Sequence, residues 1–96
     1  MSDEQLHKTI VDYLRDFKPE RIGLFGSYAR GENTEESDID ILIRFQETCT
    51  LFQLVRIENE LSELIGRKVD LVTEGAIRNE RIRKSIQKDL QVIFEV

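Results

Sequence analysis

Ile39, Ile41 and Ile43 alternate with Asp40, Leu42 and Arg44, a period of two that reads as a strand with one face in a core. Leu42 on the second face implies burial on both sides toward the far end of that strand. Asp38 and Asp40 stand two apart at its start, so they leave the same face with Cα atoms ~6.6 Å apart. Adjacent carboxylates repel, and the pair is costly unless a cation sits between them.

The remaining pattern surrounds this strand with helices. Ser2 and Gln5 fit a capping box, with Asp3 and Glu4 in a first turn where the helix dipole favours acids. Leu6, Ile10, Tyr13, Leu14 and Phe17 then recur at helical spacing until Lys18-Pro19 ends the run. His7, the only histidine, reads as a solvated residue beside that face. Arg21 to Phe25 reads as a short strand, Tyr28 to Arg30 as a helical turn, and Gly31 to Ser37 as a polar loop. Thr50 and Gln53 predict a second capping box for a helix lined by Leu54, Ile57, Leu61, Leu64 and Ile65 and stopped at Gly66. Lys68 to Val72 is a third strand, Ile77 to Lys88 a last helix with Ile82 and Ile86 inward, and Val92 to Phe94 a closing strand. Arg78, Arg81, Lys84 and Lys88 form a stripe opposite those isoleucines, as a solvated face would. The order predicts an α/β (α+β) fold, a small mixed sheet of about four strands covered by helices.

Composition narrows the class of protein. Ninety-six residues read as a single domain, 1–96, with 14 basic against 19 acidic side chains and a net charge of -5. That sign argues against direct, non-specific nucleic-acid binding. No apolar run is long enough for a membrane span, and the acidic N-terminus lacks the basic region of a signal peptide. The lone Cys49 cannot form an internal disulfide, so a reducing, cytoplasmic setting is expected. With no base nearby, Cys49 is not read as a nucleophile.

The chemistry concentrates in Gly26 to Asp40, GSYARGENTEESDID. A strand that passes through Gly26-Ser27 into a helical turn exposes unpaired N–H groups, which with the Ser27 hydroxyl suit phosphate oxygens. Gly26 permits close backbone approach, and Arg30 lies one turn further on. Mg²⁺ takes oxygen ligands, commonly one or two carboxylates with waters and phosphates. Two such ions ~3.5–4 Å apart serve an in-line displacement, and Asp70, flanked by Val69 and Leu71, which point the other way, is the candidate third carboxylate. Singly, each feature has a plain alternative: a turn, a solvated acidic edge, or Asp70 paired with Lys68 or Arg67. Tyr28 could stack on a base or pack beneath the loop. Their conjunction describes a nucleoside-triphosphate site.

Gly26-Ser27, ten residues, then Asp38-Ile39-Asp40 resembles the nucleotidyltransferase pattern of the DNA polymerase β superfamily. Leu24-Phe25 and Ala29-Arg30-Gly31 resemble its minimal nucleotidyltransferases, the antitoxins paired with HEPN-domain toxins. The resemblance implies that Gly26 and Ser27 hold the triphosphate, that Asp38 and Asp40 bind two Mg²⁺ ions, and that Asp70 completes the nucleophile-side metal. Arg30 matches a frequent family residue. By the same resemblance the chain moves AMP from ATP to a tyrosine of a partner HEPN ribonuclease toxin. A hetero-oligomer with that toxin is then expected, since little chain remains to build an acceptor pocket. Two alternatives stay open: neutralisation of the toxin by binding alone, and transfer to a small molecule such as an aminoglycoside, which would need a second domain or a dimer.

Overall fold

The computed structural model describes residues 2–32 and 37–96. Helix α1 (Asp3–Leu14) begins at the expected reciprocal box between Ser2 and Gln5. Its α-helical bonding stops at Leu14, and a 3₁₀ turn, Arg15–Phe17, carries the chain to Lys18 at φ 54°. A left-handed lysine is uphill, but Pro19 follows at once as the first residue of β1 (Pro19–Phe25) and forbids a further helical turn. The short α2 (Gly26–Ala29) follows directly, then β2 (Ile39–Phe45) and α3 (Leu51–Ile65). Helix α3 opens on the Thr50–Gln53 box and closes at Gly66, whose φ of 75° suits glycine. Strand β3 (Val69–Thr73), α4 (Glu80–Asp89) and β4 (Gln91–Glu95) complete the chain.

The four strands form one mixed sheet in the order β3-β2-β1-β4. Strand β1 runs antiparallel to β2 and β4, whereas β3 runs parallel to β2. The parallel pair needs a crossover, which α3 supplies. Ile39, Ile41 and Ile43 are fully buried, as the alternation requires, against Leu6, Ile10 and Leu14 of α1 and Ile57, Leu61 and Ile65 of α3. Leu42 is buried on the opposite face, where it lines a small cavity with Ile86 of α4. Edge strand β3 is covered by α3 side chains: the Val69 N–H donates to Ser62 Oγ and the Leu71 N–H to Glu58 Oε2. Those bonds occupy donors that an edge would otherwise offer to another chain.

Several expectations need correcting. Leu64 and Ile82 are each 54% exposed, so the buried stripes of α3 and α4 are narrower than the apolar spacing implied. Helix α4 starts three residues later than expected because the Asn79 side chain accepts from the Arg81 and Ile82 N–H groups and caps it there. Arg78 therefore precedes the helix, and Arg81, Lys84 and Lys88 are exposed along it. His7 is half-buried rather than solvated, because α2 lies over the start of α1 and sets Tyr28 edge-on to it at 6.3 Å. The expected Gly31–Ser37 loop falls partly outside the described residues.

Replacing Leu61 by alanine should cost about 2–5 kcal/mol of unfolding free energy, because it empties the centre of the core. Leu64→Ala on the same helix should stay within about 0.5 kcal/mol of wild type. Chemical denaturation of the two variants measures the contrast; equal losses would contradict the packing described above.

Candidate functional site

Strand direction gathers the site. Because β1 is antiparallel to β2, its end meets the start of β2, and Phe25 pairs with Asp40. Because β3 is parallel to β2, its start lies at the same end, and Asp40 pairs in register with Asp70. Gly26-Ser27, Asp38, Asp40 and Asp70, which span 45 positions of sequence, thus gather at one end of these three strands. Val69 is buried and Leu71 packs against the core, so Asp70 faces the other way, as expected for the lone acid of that strand.

The carboxylates feel one another. Asp40 is half-buried, and its pKa is raised above the usual 3.8, first by burial, then by the negative charges of Asp70 and Asp38 and a hydrogen bond shared with Asp70. Arg30 opposes that shift. Asp38 is half-exposed, with Lys68 Nζ at 3.9 Å. Lys68 therefore answers Asp38 rather than Asp70. Among the described residues, no three carboxylate, imidazole or thiolate groups are already gathered closely enough to enclose an ion. The donor set nonetheless suits Mg²⁺, which binds through one or two carboxylates and completes its shell with water and phosphate oxygens. Asp40 and Asp70 offer two such groups, held together against their repulsion.

Gly26 fits this corner for two reasons. Its φ of 76° lies in the left-handed region, and a Cβ there would stand 2.2 Å from Asp40 Oδ2. Any other residue would be strained and would also displace the carboxylate. Helix α2 follows with no side-chain cap at its start, so its first N–H groups remain available beside Ser27.

Tyr28 resolves toward packing. Its hydroxyl donates to Asp3 Oδ1 at the start of α1, and the Arg67 guanidinium lies 6.0 Å from its ring centre. Burial and the Asp3 carboxylate push the phenol pKa well up, so the hydroxyl stays a donor. Arg67 Nη2 also donates to the Ser37 carbonyl, just before Asp38, at 2.8 Å. Asp3, Tyr28, Arg67 and Ser37 thus link the start of α1, α2, the turn before β3 and the approach to β2. The sequence pattern did not single out Asp3 or Arg67 for this task, since neither lies near its partners in the chain. Cys49 is half-exposed with its thiol pKa raised by burial, which agrees with its reading as no nucleophile.

Residues 7–93 match the family model described as the nucleotidyltransferase domain. A Methanocaldococcus jannaschii protein, provisionally named a protein adenylyltransferase, is 51% identical over 84 residues, covering 88% of this chain and 84% of its own. The protein adenylyltransferase MntA of Thermococcus cleftensis is 39% identical over 74 residues, covering 77% of this chain and 74% of its own. A chain in a crystal structure of a toxin–antitoxin with AMP-PNP superposes with a TM-score of 0.84 at 25% identity, covering 94% of this chain and 73% of that one. Among the described residues, no helix is long and apolar enough to cross a membrane.

Asp40 binds its proton more tightly in the folded chain than in the unfolded one. The ionised group therefore costs stability above its raised pKa, and the cost is relieved as pH falls through that value toward the ordinary 3.8. Asp40→Asn should melt a few degrees higher than wild type at pH 7 without divalent metal. That gap should close below the ordinary carboxylate pKa. Scanning calorimetry across this range checks the sign, and a much lower melting temperature for the variant would assign Asp40 a structural role instead.

Proposed function

The chain belongs to the nucleotidyltransferase domain family, and we propose that it transfers AMP from ATP to a tyrosine hydroxyl of a HEPN-domain ribonuclease toxin. Pyrophosphate leaves, and the modification silences the toxin, which makes this chain the antitoxin of the pair. The observation that carries the reading is the in-register pairing of Asp40 with Asp70 beside Gly26-Ser27. The names of the 51% and 39% identical relatives, and the AMP-PNP in the similar toxin–antitoxin structure, support protein as acceptor and ATP as donor.

Each residue has a role in this reading. The Ser27 hydroxyl and the open N–H groups of α2 hold the triphosphate, while Gly26 lets it approach the backbone. Arg30 adds a cation at the phosphates. Asp38, Asp40 and Asp70 would hold Mg²⁺, two ions in all, with water and phosphate oxygens completing each shell. When bound, the metal neutralises charge on the phosphates and lowers the pKa of the attacking hydroxyl. Asp70 helps take the proton as the tyrosine oxygen bonds to the α-phosphorus and the bond to the pyrophosphate oxygen breaks. Acceleration comes from positioning and charge, with no covalent enzyme intermediate. The 96 residues act as one minimal domain in the cytoplasm, and the acceptor arrives on its partner in a hetero-oligomer.

Incubation of the chain with α-labelled ATP, Mg²⁺ and a HEPN-domain protein encoded beside it should place label on that protein. Asp38→Ala and Asp70→Asn should each lower the transfer rate by about 100-fold or more, and a chelator should stop it. Full neutralisation of the toxin by Asp38→Ala with no label transferred would replace this reading with masking by binding alone.

A further inference from the structure

Arg30 is held from two sides. Its Nε donates to Glu32 Oε2 at 2.9 Å and its Nη1 to Asp89 Oδ2 at 2.8 Å. The two anchors are unequal, for the Asp89 side chain is 17% exposed and that of Glu32 is 65% exposed. Asp89 is the last residue of α4, where the helix dipole favours a cation such as the neighbouring Lys88 and disfavours an acid. Nothing local to α4 explains an aspartate there. Its partner lies 59 positions earlier, inside the motif that carries the site.

A guanidinium presents five N–H donors in one rigid plane. Engaging one on Nε and one on Nη1 sets the orientation of that plane and leaves the Nη2 pair and the second Nη1 hydrogen for another anion. Arg30 caps the end of α2, which packs against β2, the strand of Asp40. Left untethered, the side chain could fold onto Asp40 and Asp70 and neutralise the groups that hold the metal. The tether has an entropic side as well. A flexible arginine loses rotamer freedom when it grips a ligand, and one already ordered by Asp89 has less to lose.

We propose that Asp89 is a positioning residue of the nucleotidyl site: from α4 it holds the Arg30 guanidinium so that its remaining N–H groups meet the phosphates of ATP. Glu32 is the weaker, exposed second support. This inference rests on the functional reading above and extends the site to α4, which carries none of its motif residues.

Calorimetric titration of the full chain with ATP and Mg²⁺, without acceptor, tests it. Asp89→Ala should weaken ATP binding about 5- to 10-fold and Arg30→Ala at least as much. The double variant should bind no worse than Arg30→Ala, since Asp89 acts only through that side chain. Asp89→Glu should recover part of the loss, and Lys88→Ala should bind as wild type does. Melting temperatures recorded in parallel separate a structural role. A variant that melts earlier yet binds ATP normally where it is folded overturns the proposal, as do losses that multiply in the double variant. Wild-type chain that binds no ATP would instead overturn the functional reading, and the proposal with it.

Discussion

Asp40 and Asp70 stand opposite one another in the one parallel pair of the sheet, and the repulsion between them has to be borne by the rest of the molecule. The core bears it. The opposite face of β2 is a run of three buried isoleucines clasped between α1 and α3, and full burial of each such side chain is worth about 1.5–3 kcal/mol. A shift of β2 by one residue would relieve the two acids and expose all three isoleucines, so the register holds. The site keeps an electrostatic tension because the hydrophobic face opposes it.

The loops around the carboxylates are tied down by contacts between distant segments. Tyr28 is fastened to α1 through Asp3, and Arg67 spans from that ring to the carbonyl that precedes Asp38. Arg30 is fastened to α4 through Asp89. Exposed ion pairs contribute little to stability, so these ties matter more for where groups stand than for how firmly the chain folds. Helix α2 has only four residues and could not hold its orientation by its own hydrogen bonds. Its anchors on α1 and α4 supply that orientation.

Local rules were legible wherever one interaction dominates. Both capping boxes form as read, because a serine or threonine and a glutamine three residues later satisfy each other whatever surrounds them. Gly66 ends α3 for an equally local reason. The misreadings concern how wide a face the fold covers. Leu64 and Ile82 have helical spacing with their buried neighbours, yet only the placement of the sheet against α3 and α4 decides that they face outward. His7 differed from expectation because its surroundings come from α2, far along the chain.

From its residues alone, this chain disclosed the strand that carries Asp40, although Asp38 stands just before it rather than on it, together with the glycine and serine at the end of the preceding strand and the candidacy of Asp70. Those follow from period, turn chemistry and charge, which act between neighbours in sequence. Strand direction was not disclosed: the parallel run of β3 and the antiparallel run of β1 set the acids beside Gly26, and that choice depends on packing α3 across the sheet. The same holds for Asp89, whose acid at a helix end looks misplaced until the fold sets Arg30 against it. Interactions across 30 to 59 positions exist only once the core has formed, so only the tertiary structure could decide them.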